Sequence, residues 1–221
     1  MINITKKFLL IILLLVIVLA GVVFWISEKK AKEKERQEFL SKLKGEIVFL
    51  RRDEEGVLNI WKINANGTGE KWLYKHNYGG EAANFNCSFP EWSKDGKKIY
   101  FRAMSEKGWA IYEMDPDGKN VRIAENPVDY SKKDGVSRVS RADDILVKEG
   151  SIYIYEEGVP KLIFKHKGPY DPAYNPGAEE VDWSPDKKYI IFVYNFGRIM
   201  IADREGNVVE LTKGMDPDWK Y

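Results

Sequence analysis

A strand–turn–strand pattern recurs four times in this chain and constrains its fold more than any other feature. Four short runs align on an isoleucine: NIWKIN at 59–64, AIYEMD at 110–115, SIYIYE at 151–156 and RIMIAD at 198–203. A turn with a glycine follows each run, at Gly67, Gly118, Gly158 or Gly206, and three of the four turns also contain Asn or Asp. Because these residues favour tight chain reversals, each repeat predicts a β-hairpin.

Two further strands complete each repeat. One follows the turn, at 71–75, 121–125, 160–165 and 208–213, and one precedes the hairpin, at 46–50, 98–101, 145–147 and 189–194. A fourth strand carries a Trp-Ser pair at 89–93 and 181–184, with a degenerate version at 136–140. Four-stranded units that repeat every ~40–50 residues are typical of propeller blades, because a ring of blades buries the faces that one blade cannot.

The first repeat lacks a Trp-Ser strand of its own, and the missing piece lies at the other end of the sequence. Residues 216–221, DPDWKY, have the same pattern around Trp219. Placed beside strand 46–50, this segment removes an open sheet edge. The sequence therefore predicts an all-β domain, a small four-bladed β-propeller over 45–221 whose C-terminal strand closes the first blade. The predicted blades are 46–75 plus 216–221, 89–125, 136–165 and 180–213.

A second, longer repeat spans two blades. Trp92 and Trp183 are separated by 91 residues, and His76 and His166 by 90. Blades one and three therefore correspond, as do blades two and four, which indicates a duplicated two-blade unit. A dimer of two half-rings with eight blades remains an alternative.

The tryptophan motifs resemble a known repeat. The pattern Pro90-x-Trp92-Ser93-x-Asp95-Gly96 and the segment WSPD at 183–186 resemble the TolB-type, or WD40-like (PD40), propeller repeat. The resemblance covers 45–221 and is weakest in the first and third units. It implies the fold but leaves the function open.

The N-terminal region predicts a membrane anchor. After a short basic tail at 1–7, residues 8–26 form an unbroken apolar run long enough to cross a bilayer as a helix. A cleaved signal peptide is the alternative, although the run is longer than the apolar part of most signal peptides. Residues 27–44 are highly charged and predict a helical stalk, with a solvated linker as the alternative.

Location and partners follow only partly from charge. Basic residues are more numerous after the apolar run than before it, and that count taken literally puts the following domain in the cytoplasm. The short basic tail favours instead a single-pass anchor in the cell membrane with an extracytoplasmic propeller, because a long following domain translocates largely regardless of its charge. The net charge is +1, and acidic and basic residues are interspersed. The chain therefore lacks the basic surface that attracts nucleic acid, so we expect no nucleic-acid partner. Cys87 is the single cysteine, so no intramolecular disulfide can form.

Two long connections, 76–89 and 166–180, are the predicted ligand face, because loops carry function more often than scaffold strands. The candidate ligand-binding residues are His76, Tyr78, Asn84, Asn86, His166, Tyr170, Asp171 and Tyr174. One hypothesis places both histidines across a channel to bind a metal or an anion. The favoured interpretation is that each histidine ends an outer strand.

Other motifs favour structural roles. Trp92, Trp183 and Trp219 are expected to wedge between blades, and the DPDG segment at 115–118 offers too few carboxylates for a calcium loop. No G-x-S-x-G motif is present in the sequence. We therefore predict no catalytic residues, no metal and no cofactor, and a membrane-anchored module that binds a protein or envelope component. A small enzyme or a carbohydrate- or metal-binding site at the channel mouth is the alternative.

Overall fold

A computed structural model describes residues 2–75, 87–125 and 144–220 of the chain. The chain divides into two compact units, Met1–Ser41 and Lys42–Tyr221. The first is helical and the second is built from β-strands. Each unit is described by itself below.

The first unit is one continuous helix, α1 (Ile2–Ser41). By length and composition it could cross a membrane, or serve as a signal sequence. Its apolar side chains are exposed, as for Phe24 and Trp25, which are 65% and 61% accessible. In the charged half, Glu33 accepts hydrogen bonds from Arg36 at 3.0 Å and from Gln37 at 2.7 Å. Such pairs at i, i+3 and i, i+4 spacing support helix over the segment that we predicted as a stalk.

The second unit contains four antiparallel sheets. Its described strands are β1 (Glu46–Arg52), β2 (Leu58–Asn64), β3 (Lys71–Tyr74), β4 (Cys87–Trp92), β5 (Ile99–Ser105), β6 (Gly108–Met114), β7 (Arg122–Ile123), β8 (Ile145–Lys148), β9 (Ser151–Glu156), β10 (Val159–Phe164), β11 (Ala178–Trp183), β12 (Tyr189–Tyr194), β13 (Arg198–Asp203), β14 (Val208–Lys213) and β15 (Met215–Lys220). Sheet 1 has the order β15-β1-β2-β3, sheet 2 β4-β5-β6-β7, sheet 3 β10-β9-β8 and sheet 4 β11-β12-β13-β14.

Side-chain chemistry in the turns forms the hairpins. Between β13 and β14, the Asp203 carboxylate accepts hydrogen bonds from the backbone N–H of Asn207 at 2.8 Å and from its side-chain amide at 2.7 Å. Gly206 stands in this turn at a φ of +86°, where a side chain would be strained. The other predicted turn glycines, Gly67, Gly118 and Gly158, share this positive φ. Hairpin formation is therefore a local property of the sequence.

Sheet 1 is assembled from both ends of the β-unit. Strand β15 pairs with β1 so that Ile47 stands opposite Trp219 and Glu46 opposite Lys220. Gly45, just before β1, has a φ of +95° and lies against the Lys220 carbonyl, where a Cβ atom would clash. Only glycine fits this approach of the two ends.

Two apolar cores hold neighbouring sheets together. One joins sheets 1 and 2 around Ile60 and the fully buried Phe101, whose ring lies 5.2 Å from that of Tyr74. The other joins sheets 3 and 4 around Phe192, whose ring lies 4.9 Å from that of Phe164. Truncating such a buried aromatic residue to alanine typically costs about 3–5 kcal/mol.

The sheets contact one another in the order 2–1–4–3 within the described residues. Sheets 1 and 4 meet through Arg51 of β1, which is paired with Glu70 and also donates to Thr212 Oγ1 of β14 at 2.5 Å and to the Lys213 carbonyl at 2.9 Å. Sheet 3 has three described strands. Its predicted fourth strand, 136–140, lies outside the residues that the structure describes.

Candidate functional site

The tryptophan strands, β4, β11 and β15, share a backbone irregularity that we did not predict. Three residues before its tryptophan, each strand has a residue with positive φ: Phe89 at 52°, Glu180 at 52° and Asp216 at 49°. The strand register shifts at this place in all three. Such bulges turn a strand and redirect its side chains, and they are common next to functional sites.

Carboxylates tie the tryptophan strands to one another across the sheets. Asp218 of β15 accepts a hydrogen bond from the backbone N–H of Trp92 in β4 at 2.7 Å. Glu180 of β11 accepts one from the backbone N–H of Asp216 in β15 at 2.5 Å. Hydrogen bonds to a charged group contribute about 1.5–3 kcal/mol each. These bonds place β15 between β4 and β11, with carboxylates of β15 and β11 linking neighbouring sheets.

Trp92 and Trp183 lie at contacts between sheets, and both are at least nine-tenths buried. The Lys220 ammonium of sheet 1 lies 3.8 Å from the centre of the Trp92 ring in sheet 2. Trp183 of sheet 4 donates through Nε1 to the Asp144 carboxylate at 2.8 Å, and the Arg204 guanidinium lies 4.6 Å from its ring. Arg204 also pairs with Glu156 of sheet 3 at 3.4 Å.

Trp219 lies at the contact between sheets 1 and 4. Its indole N–H donates to the Lys44 carbonyl at 2.9 Å. Its ring is stacked with Tyr189 of β12, the two centres being 6.3 Å apart at an angle of 26°. The three tryptophans therefore pack between sheets, where their rings and N–H groups contact a neighbouring sheet or segment.

The Ser-x-Asp part of the motif forms the same turn twice. Ser93 Oγ donates to Asp95 at 2.7 Å and accepts from the backbone N–H of Lys98 at 2.9 Å. Ser184 Oγ likewise donates to Asp186 at 2.8 Å and accepts from the N–H of Tyr189 at 3.0 Å. The hydrogen bond from Ser93 lowers the pKa of Asp95. The motif is thus a turn-forming device between a tryptophan strand and the next strand.

His166 follows β10, an edge strand of sheet 3, and is 8% exposed. Its backbone N–H donates to Ser151 Oγ at 3.1 Å, and its Nδ1 atom lies 3.4 Å from the Tyr194 hydroxyl. The rings of Tyr170 and Tyr194 contact it edge-on at 6.4 Å and 5.9 Å between centres. Its Nε2 atom has no hydrogen-bond partner among the described residues. His166 is therefore packed among aromatic rings at the base of its loop.

The loop after His166 is fixed by its own hydrogen bonds. Asp171 and Asn175 exchange backbone hydrogen bonds at 3.1 Å and 2.7 Å. The Asp171 carboxylate accepts from the N–H groups of Ala173 at 2.8 Å and Tyr174 at 3.2 Å. The Asn175 amide donates to the Pro169 carbonyl at 2.8 Å. Asp171 thus shapes the loop, and we call residues 169–175 the aromatic loop.

Two tyrosines of the aromatic loop face solvent. Tyr170 is 45% exposed and Tyr174 is 86% exposed. An aromatic ring with a polar tip, held on an ordered backbone, contributes a large contact area at a low cost in conformational entropy. The loop therefore has the properties of a recognition surface.

Half of the predicted ligand-binding residues cannot be placed. His76, Tyr78, Asn84 and Asn86 lie outside the described residues, so the arrangement of the two histidines stays a prediction. Among the residues that the structure describes, no group of three or more His, Cys, Asp or Glu side chains is arranged to hold a metal ion.

The carboxylates of the DPDG turn are engaged by protein groups. Asp115 accepts from the Lys98 ammonium at 2.6 Å and from the Asn120 amide at 2.5 Å, and these two hydrogen bonds lower its pKa. Asp117 accepts from the backbone N–H of Lys119 at 3.1 Å. Both carboxylates therefore stabilise the hairpin between β6 and β7.

Cys87 yields a direct test of burial in the sheet 1–sheet 2 core. Its Sγ atom donates to the Leu58 carbonyl at 3.3 Å, and burial raises the pKa of the thiol to about 12. Because the thiolate is the reactive form, we expect Ellman's reagent to modify Cys87 slowly at neutral pH and rapidly in denaturant. A surface variant, Lys107→Cys, should react rapidly in the native state as a control. Rapid modification of native Cys87 would contradict this packing.

Comparison with known proteins gives distant similarities. No family model matches the chain, and no curated protein matches it. One similar solved structure is TolB from Acinetobacter baumannii, which is 20% identical over 75% of this chain, with a TM-score of 0.30. Another is a putative TolB from Agrobacterium tumefaciens, which is 17% identical over 78% of this chain, also with a TM-score of 0.30. This chain covers 41% and 64% of their lengths. A structure of two prolyl endopeptidases is similar at 16% identity over 86% of this chain and 35% of that one, with a TM-score of 0.26. Similarities this distant assign neither a partner nor an activity.

Proposed function

We propose that the β-unit is a closed four-bladed propeller. Sheets 2, 1, 4 and 3 contact one another in sequence, and the tryptophan strands of three of them lie side by side. Sheet 1 takes its tryptophan strand from the C-terminal end of the unit. Sheet 3 carries a row of partly exposed apolar residues, Leu146, Tyr153 and Leu162. Closing the ring between sheets 2 and 3 would cover that row.

The proposed anchor is the apolar segment 8–26 of α1. The exposure of its large side chains supports a lipid environment, because soluble proteins rarely expose an apolar surface of that extent. We propose a single-pass protein of the cell membrane, with the β-unit on the extracytoplasmic side.

The proposed function is recognition of a protein or envelope component, by binding and not by catalysis. The observation that carries the proposal is Tyr174, which is 86% exposed on a loop whose backbone is fixed by Asp171 and Asn175. Exposed, preorganised aromatic residues are the typical anchors of protein interfaces.

A photo-crosslinking experiment tests this proposal. A benzoylphenylalanine at position 174 of the full-length protein should give a discrete adduct after irradiation of intact membranes. The same group at Lys97, an 80% exposed side chain in the turn between β4 and β5, is the matched control and should give none. Adding Asp171→Ala should lower the adduct yield, because it removes the hydrogen bonds that hold the loop. No adduct at 174, or the same adduct from both positions, would refute a role of the aromatic loop.

A further inference from the structure

A cleft of about 310 Å³ lies on the β-unit, and none of its lining residues belongs to the aromatic loop. It is lined by Lys42, Lys44, Asp186, Lys188, Tyr189 and Trp219. These residues come from the segment before β1, the turn between β11 and β12, the first residue of β12, and β15. The cleft therefore lies where sheets 1 and 4 meet.

The segment before β1 directs two lysines to one side. Leu43 is 4% exposed, so its side chain points into the protein, whereas Lys42 and Lys44 are exposed. Both lysines line the cleft. The Lys44 carbonyl accepts the indole N–H of the buried Trp219 at 2.9 Å, which ties this segment to the edge of the ring.

The cleft has an excess of positive charge. It carries three ammonium groups against the one carboxylate of Asp186. That carboxylate is engaged by Ser184 Oγ at 2.8 Å, by the N–H of Lys188 at 3.1 Å and by the Lys188 ammonium at 3.4 Å. Within the described parts of the chain, no protein group forms a hydrogen bond or ion pair with the side chains of Lys42 and Lys44.

The corresponding contact between sheets 1 and 2 is neutralised by the protein itself. There, Glu46 pairs with Lys62 at 2.5 Å and with Lys220 at 3.3 Å, and the Lys220 ammonium covers the ring of Trp92. Glu46 of β1 stands opposite Lys220, the residue after Trp219, and Tyr189 of β12 stands opposite Ser184, the residue after Trp183. Glu46 and Tyr189 therefore occupy equivalent positions in sheets 1 and 4. A tyrosine thus stands at the contact between sheets 4 and 1 where a carboxylate stands at the contact between sheets 1 and 2. Among the described residues, the same framework provides no acidic partner for Lys42 and Lys44, while Lys188 pairs with Asp186.

We propose that this cleft binds a phosphate group through Lys42, Lys44 and Lys188. Lysine is a common phosphate ligand, acting as a compact point charge. The volume equals that of about ten water molecules, which suits a phosphate ester of glycerol size. A phospholipid headgroup and a soluble or polymeric phosphate ester share this chemistry.

Calorimetric titration of the full-length protein in a maltoside detergent, which contains no phosphate, tests the site. One arm uses glycerol 3-phosphate and the other a short-chain phosphatidylglycerol. We expect saturable binding of at least one probe, weakened about tenfold in Lys42→Gln/Lys44→Gln because two charge-assisted contacts are lost. Tighter binding of the lipid would identify the headgroup as the source, and equal binding would identify the free ester.

Lys107→Gln/Lys148→Gln is the matched control, since it removes the same charge from exposed positions outside the cleft. It should bind both probes as the unmodified protein does. Equal affinities for the two double variants, or no binding of either probe, would overturn the proposal. The crosslinking test at Tyr174 uses other residues and another readout, so the outcome of either test leaves the other unaffected.

Discussion

Trp183→Ala should lower the free energy of unfolding of the β-unit by about 3–5 kcal/mol, the usual cost of truncating a buried aromatic residue. Trp183 is 8% exposed in the core between sheets 3 and 4. The truncation also removes the Nε1 hydrogen bond to Asp144 and the ring beneath Arg204. A domain is typically stable by only about 5–15 kcal/mol, so the loss is a large fraction of the total. Urea unfolding of the full-length protein in detergent, followed by near-ultraviolet circular dichroism, measures it.

Trp72 is the matched control for this prediction. It is the same residue type on β3 and is 53% exposed, so Trp72→Ala should cost about 0.5 kcal/mol or less. Trp183→Phe should cost less than Trp183→Ala, because it keeps most of the ring volume and loses the bond to Asp144. Equal effects of Trp183→Ala and Trp72→Ala would show that Trp183 does not pack between the sheets as described.

Removing residues 215–221 should abolish cooperative unfolding of the β-unit. The deletion takes away β15, leaves the edge of β1 unpaired and uncovers the buried side chain of Ile47. It also removes Asp218, the acceptor for the backbone N–H of Trp92, and Trp219. The losses of strand pairing, burial and hydrogen bonds all lower the free energy of unfolding. The decrease should therefore exceed that caused by any single substitution above.

The near-ultraviolet circular dichroism and thermal melting of the truncated protein measure this loss. A synthetic peptide of residues 214–221 should restore part of the signal by pairing with β1, whereas a peptide with Trp219→Ala should restore less. An unchanged melting temperature after truncation would contradict the role of β15 in sheet 1.

Local sequence features predicted the hairpins well, because their causes are local. The run 198–203 is β13, and its last residue, Asp203, forms the turn with the Gly206 and Asn207 that follow. The pattern around Trp183 likewise indicated a strand, and β11 ends at that tryptophan. The strand predicted over 121–125 is shorter in the structure, where only Arg122–Ile123 pairs as β7.

The features that escaped prediction depend on contacts between distant residues. An acidic residue precedes each tryptophan in the sequence, but the sequence did not indicate that Asp218 accepts the N–H of Trp92 from another sheet, whereas Asp182 accepts that of the adjacent Trp183. Nor do propensities indicate positive φ at Glu180, because glycine or asparagine is the usual residue there. The cleft depends on the bond between Trp219 and Lys44, which are 175 residues apart.

A disulfide experiment tests the central claim, that the two ends of the β-unit pair side by side in one sheet. In a Cys87→Ala background, cysteines replace Glu46 and Lys220, which stand opposite each other in β1 and β15. Paired antiparallel residues have Cα atoms about 4.5–5.5 Å apart, within reach of a disulfide. The control pair, Glu46→Cys with Lys213→Cys, places the second thiol on β14. The account predicts near-complete oxidation of the first pair, seen by mass spectrometry, and little of the second; no disulfide in the first pair, or equal oxidation of both, would contradict it.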